Sequence, residues 1–283
     1  MTAYERQMQR IKYLEVEDGV TLGYEELGEG DKYILCLHMG YPEKYYVREF
    51  AKYGYHVFLI WNRGSGPSSP ATVDFGADWY NVWADDVVKF ADKLGIDRFI
   101  YTGASHGAGT GWHILWRHQE RVKAFIAVVP GPHNIEEDPT CFRLIIEANP
   151  GKNFLSDDST DPAILRRRAK YAEYNKEAHA HQLTMNYGRP MRQLGTEEKL
   201  IELMRTFKTP TLIMGGIEDM ISTPDLMLRT AKALPNCKMV VYSGLGHSAT
   251  STDILEEVMP EYLNFLNAVE TNDGHVYARV IED

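Results

Sequence analysis

Two rhythms of apolar residues organise this chain. Near the start, Ile11–Glu17 and Val20–Glu26 alternate apolar and polar side chains around Asp18-Gly19. That alternation predicts a two-stranded hairpin with one dry face. Then the rhythm changes. Tyr33–Leu37 and Tyr55–Trp61 are near-continuous apolar runs, and so are Arg98–Thr102, Lys123–Val129, Thr211–Met214 and Met239–Tyr242. Such runs predict parallel strands buried on both faces. Helical spacing fills the intervals, most clearly over Asn81–Leu94, from His106 onward, and over 224–234 and 252–269. Strands alternating with helices predict a mostly parallel sheet with right-handed crossovers.

The alternation stops between Pro132 and Phe207, where the sequence is charged and helical in composition. We read 132–207 as a helical lid inserted into a core formed by 1–131 and 208–283. The tail, His275–Ile281, has the pattern of a short extra strand.

Composition narrows the function. The 283 residues have room for one large α/β domain, and their net charge of −10 includes no basic run. Nucleic acid and anionic membrane surfaces are therefore poor partners, and a small-molecule substrate is expected. Three widely spaced cysteines, Cys36, Cys141 and Cys237, form no C-x-x-C pair, which predicts reduced thiols. The polar N-terminus and the absence of a membrane-length apolar run point to a cytoplasmic protein. Self-association is left open.

The chemistry concentrates at Gly103-Ala104-Ser105-His106-Gly107, a G-x-S-x-G between a strand pattern and a helix pattern. A sharp turn there would project the Ser105 hydroxyl and aim the His106 amide at negative charge forming beside it. Serine needs a base, and the base needs an orienting carboxylate. Asp219 comes after one buried-strand run and His247 after the last. Both fall in loops at the carboxyl edge of a parallel sheet, where open α/β sheets bind ligands. Glu218 is an alternative acid. Of the ten histidines, His38, His56 and His113 read as packed or hydrogen-bonded, and the His106 ring as either facing the cleft or covering the elbow. The pair His179 and His181 reads as lid surface, and Asp85-Asp86 as a solvated helix face.

With these motifs assembled, the chain resembles the α/β-hydrolase fold superfamily over nearly its whole length. The order Ser105, Asp219, His247 is the order of that family, and Asn62-Arg63-Gly64-Ser65-Gly66-Pro67-Ser68 is similar to its D-x-R-G-x-G-x-S segment. The resemblance implies an eight-stranded-type, mostly parallel sheet flanked by helices, with a helical lid. It implies a serine hydrolase acting on a small ester, lactone or thioester, with no metal or organic cofactor. It also implies a second oxyanion donor in Leu37–Pro42, assigned to Tyr41 with Met39 as the alternative. A C–C bond hydrolase of ring-cleavage products is compatible with the same residues. So is a ligand receptor that keeps the triad without turnover. The cofactor-free dioxygenases, which also carry Ser-His-Gly, place their acid after the strand that succeeds the elbow. Here that position reads Val129-Pro-Gly-Pro-His133, without a carboxylate.

Overall fold

The computed structural model describes residues 2–40, 45–136, 187–247 and 254–277, with isolated positions between 162 and 185. Eight strands form one sheet: β1 Lys12–Glu17, β2 Val20–Leu27, β3 Tyr33–His38, β4 His56–Trp61, β5 Phe99–Ala104, β6 Val122–Val128, β7 Thr211–Gly216 and β8 Cys237–Tyr242. Their spatial order is β1-β2-β4-β3-β5-β6-β7-β8. The β1–β2 and β2–β4 pairs are antiparallel, and from β4 onward all pairs are parallel. This is the α/β-hydrolase fold expected above.

Because strand side chains alternate, each central strand feeds two cores. Leu35, Leu37, Phe58 and Ile60 pack on one side with Trp79, Trp83 and Phe90 of α3 (Trp79–Lys93) and Trp112 of α4 (His106–His118). On the opposite side Ile34, Cys36, Val57 and Leu59 pack with Tyr46 and Phe50 and with Val258 and Tyr262 of the long C-terminal helix, Leu255–Thr271.

Two local features differ from expectation. The N-terminus, read only as a polar stretch, forms a helix, α1 Ala3–Met8, closed by reciprocal bonds between Thr2 and Glu5. The Thr-x-x-Glu spacing of a capping box was its signal. Asp86 is not on a solvated face: it is fully buried and bound through two nitrogens by Arg63, at 3.0 and 2.5 Å. Its neighbour Asp85 pairs with Arg117 and His118 near the surface. The arginine of the Asn62–Ser68 segment is thus committed to holding the β4 exit against α3, with Glu17 of β1 as its other partner. The fan of ion pairs fixes backbone and supplies no free charge.

Of the 132–207 insertion, the described part returns to the core through α5 Glu197–Met204, capped by Thr196. The middle, including His179 and His181, lies outside the described residues, as does Cys141; Cys36 and Cys237 are free thiols. In the tail, His275–Tyr277 forms no strand, and 278–283 lies outside the described residues. Among the described residues no helix is long and apolar enough to cross a membrane.

His113 illustrates how a buried histidine is satisfied. Its Nδ1–H donates to Asn81 at 2.8 Å, and its Nε2 accepts the Met191 amide at 2.8 Å. Burial holds it neutral, with its pKa pushed down to about 3. The unfolded chain therefore takes up a proton between pH 6.5 and 3 that the folded chain refuses, so stability falls as pH drops through that window. We expect about 1 kcal/mol lost per pH unit below 6.5, measured as a falling Tm. Ordinary Glu and Asp side chains are nearly silent between about pH 6.5 and 5, so His113→Gln should roughly halve the Tm slope there, the remainder coming from His133, which burial also holds neutral. An unchanged slope in a folded variant would contradict the assignment.

Candidate active site

β5 ends where the sheet is most crowded, and the backbone there explains the glycines. A methyl group on Gly103 would stand 2.3 Å from the Gly107 carbonyl carbon, and one on Gly107 would stand 2.9 Å from the Leu37 oxygen. Only with both positions bare can the chain turn from β5 into α4 in one residue. That residue, Ser105, sits at φ +51°, ψ −110°, a conformation that residues other than glycine rarely adopt. Its amide donates to Val128 of β6 at 2.9 Å, and its carbonyl accepts from Gly109. Gly103→Ala is expected to cost about 3 kcal/mol or more, because its obstacle is backbone. Thermal melts would show it; a Tm within about two or three degrees of the parent would refute this account of the motif.

The strained turn points the Ser105 hydroxyl at His247, in the loop after β8. Oγ and Nε2 are 2.8 Å apart. The other ring nitrogen, Nδ1, faces both oxygens of Asp219 at 3.0 and 2.8 Å. A carboxylate only accepts, so Nδ1 carries the ring proton and Nε2 is left to accept from the serine hydroxyl. Asp219 and His247 are both buried. Asp219 keeps its orientation because its Oδ1 also accepts the amides of Ile221 and Ser222, at 2.8 and 2.9 Å. Glu218, the alternative acid, is exposed, and its amide donates to the Leu245 carbonyl. One residue of register separates the two carboxyl groups, and Asp219 is the buried one that faces His247.

His106 opens α4, so its amide lies at the positive end of that helix. Its ring sits among other aromatic rings. It packs against Trp83 at 4.5 Å between ring centres, Tyr80 and Tyr187 at 5.3 Å, and His38 at 5.8 Å. Met39 is buried beside the end of β3, whereas Tyr41 lies outside the described residues. Sequence reasoning missed His133. It lies just beyond β6 and donates from Nδ1 to the Ile221 carbonyl at 3.0 Å. Desolvation, with the Arg189 guanidinium nearby, pushes its pKa down to about 3. No motif marks it; the one available signal is its place two residues past the Pro130-Gly131 turn.

Among the described residues no cluster of three or more His, Cys, Asp and Glu side chains has metal-holding geometry.

Known proteins share this architecture. The family model for the α/β hydrolase fold matches residues 33–151. A bifunctional epoxide hydrolase 2 of Sus scrofa is 29% identical over 145 residues, which is 49% of this chain; the match spans 25% of that longer protein. A 2-hydroxy-6-oxononadienedioate/2-hydroxy-6-oxononatrienedioate hydrolase of Pseudomonas sp. is 24% identical over 258 residues, covering 84% of this chain and 90% of that one. Among solved structures, the 2-hydroxy-6-oxo-6-phenylhexa-2,4-dienoate hydrolase of Rhodococcus sp. strain RHA1 superposes with a TM-score of 0.69 at 16% identity, covering 91% of this chain and 98% of that chain.

Proposed function

We propose that this chain, which has the α/β-hydrolase fold and matches the family model for that fold over residues 33–151, is a serine hydrolase cleaving a small ester, lactone, thioester or related acyl substrate. The observation that carries this reading is the continuous relay from Asp219 through His247 to Ser105, with contacts of 2.8 Å on either side of the imidazole.

In the proposed reaction, Ser105 Oγ attacks the substrate carbonyl while its proton passes to His247 Nε2. The imidazolium so formed is stabilised by the Asp219 carboxylate at Nδ1. The carbonyl oxygen becomes an oxyanion, for which the His106 amide is the first donor. A second donor is assigned to the loop after β3, at Tyr41. His247 then returns the proton to the leaving group as the carbonyl–leaving group bond breaks. Water, deprotonated by the same nitrogen, cleaves the acyl-enzyme and restores Ser105.

The similarity to two hydrolases of dienoate substrates favours a second reading, in which the bond broken is C–C and the leaving group is a carbanion equivalent that His247 protonates. The serine-centred geometry serves both. A panel of p-nitrophenyl esters from acetate to octanoate, run beside a 2-hydroxy-6-oxo-dienoate, separates them. We expect ester turnover with a burst of p-nitrophenol of about one equivalent per chain. Turnover of the dienoate alone would favour the second reading, and turnover of neither would leave a binding function.

The 132–207 insertion is proposed as the lid of this site. Replacing residues 140–180 with a short Gly-Ser linker is expected to change the ester chain-length preference while the sheet still melts cooperatively. A folded variant with an unchanged profile would show that the insertion does not shape the pocket.

A further inference from the structure

Asp219 is far from the nucleophile in sequence, and its loop must hold a carboxylate in place against His247. The stretch leaving β6 does this from the side. Its own carbonyls are anchored first: Trp112 Nε1 of α4 donates to the Gly131 oxygen at 2.7 Å, and Arg229 Nη2 of the helix Pro224–Ala233 donates to the Pro132 oxygen at 2.9 Å. From this platform two ties reach the acid loop. Ser222 Oγ donates to the Val129 oxygen at 2.8 Å, and His133 Nδ1 donates to the Ile221 oxygen at 3.0 Å. The peptide groups around Ile221 are thus gripped from two directions. Asp219 Oδ1 takes the Ile221 and Ser222 amides, while His133 takes the carbonyl between them. The Ile221 side chain is buried, so its carbonyl has little access to water. The same strand end also receives the Ser105 amide at Val128, which ties nucleophile and acid to one short segment.

We propose that His133 is a positioning residue for the proposed triad: by holding the Ile221 carbonyl it keeps the Asp219 carboxylate aimed at His247. The proposal rests on the serine-hydrolase reading. Without the imidazole the 221–222 peptide keeps only the Ser222–Val129 tie on that side, so it can tilt and draw its amide away from Asp219 Oδ1. A carboxylate displaced by about an ångström no longer supports the imidazolium in line with Ser105, a displacement of the size that costs up to about a hundredfold. The effect falls on turnover and spares substrate binding.

The test is p-nitrophenyl acetate kinetics on His133→Leu, His133→Asn, Asp219→Asn and the Leu–Asn double variant. Asparagine's Nδ2 stands close to where histidine's Nδ1 stands, so it can make the same bond. His133→Leu is expected to lower kcat roughly 10- to 100-fold with KM within about threefold, and His133→Asn to restore most of it. Combined with Asp219→Asn, His133→Leu should cost little more than Asp219→Asn alone, because both act through one carboxylate. A His133→Leu enzyme with unchanged kcat, a loss confined to KM, or losses that multiply in the double variant would overturn the proposal. Should His133→Leu fail to fold, His133→Gln, whose amide nitrogen reaches toward the Nε2 position rather than the Nδ1 position and so misses the Ile221 carbonyl, enters the same cycle with the same criteria. If Asp219→Asn itself retains full activity, the acid assignment fails, and if Ser105→Ala does, the serine-hydrolase reading fails; both results are separate from any outcome at His133.

Discussion

Ser105→Ala is expected to abolish covalent labelling by a fluorophosphonate and to lower ester turnover by at least about 10⁴-fold, roughly 5.4 kcal/mol in the barrier. An ordinary serine hydroxyl is a weak nucleophile, and the chain has many. Only one of the described serines stands at a strained φ of +51° with its oxygen 2.8 Å from an imidazole oriented by a buried carboxylate. The strain holds the hydroxyl away from its own backbone, so its partner is His247 rather than a nearby carbonyl. The reagent should add once per chain, which intact mass spectrometry reads directly. Alanine leaves the glycines and the β5–α4 turn in place, so the melt should move little. Equal labelling of parent and variant would place the reactive group elsewhere and remove the basis for an acyl-enzyme.

Much of this site was legible in the sequence because the elements that carry it obey local rules. Gly103 and Gly107 are required by backbone approaches that no other residue permits, so the elbow announces itself. Asp219 and His247 could be found because buried parallel strands read as apolar runs, and the loop after each run lands on one edge of the sheet. The less legible parts depend on long-range pairing. Nothing in Asp85-Asp86 says which carboxylate turns inward; Arg63, at the far end of the intervening loop and α3, decides it. The same holds for His113, whose partners Asn81 and Met191 come from α3 and from the returning arm of the insertion. His133 is the extreme case. Its partner is a carbonyl 88 residues on, and a backbone carbonyl leaves no mark in a sequence. The ring of His106 was ambiguous for a related reason. Its ring contacts come from His38, Tyr80, Trp83 and Tyr187, in three separate parts of the chain, which no local pattern brings together.

Asp219→Asn should lower ester turnover at least about a hundredfold, or roughly 2.7 kcal/mol, with the fold intact. The hydrogen bonds around Asp219 dictate why. Its Oδ1 accepts two amides, from Ile221 and Ser222, and an amide donor requires an oxygen there. Asparagine would therefore keep its carbonyl oxygen on those amides and turn its NH2 toward His247 Nδ1. That contact, 2.8 Å in the parent, then needs an acceptor on the ring. The ring proton moves to Nε2, which then cannot take the proton of Ser105. In a serine protease the same substitution costs about 10⁴ by this tautomer effect; loss of charge beside the imidazolium adds to it. Glu218→Gln serves as the neighbouring control. Its side chain is exposed, and the His247 ring nitrogen is already occupied by Asp219, so its turnover should stay within about twofold of the parent. Both variants should be read on p-nitrophenyl acetate with circular dichroism to verify folding. Loss in Glu218→Gln with full activity in Asp219→Asn would move the acid by one residue. Full activity in both would mean that His247 works without a carboxylate, and the relay read from the geometry would not be the machinery of the reaction.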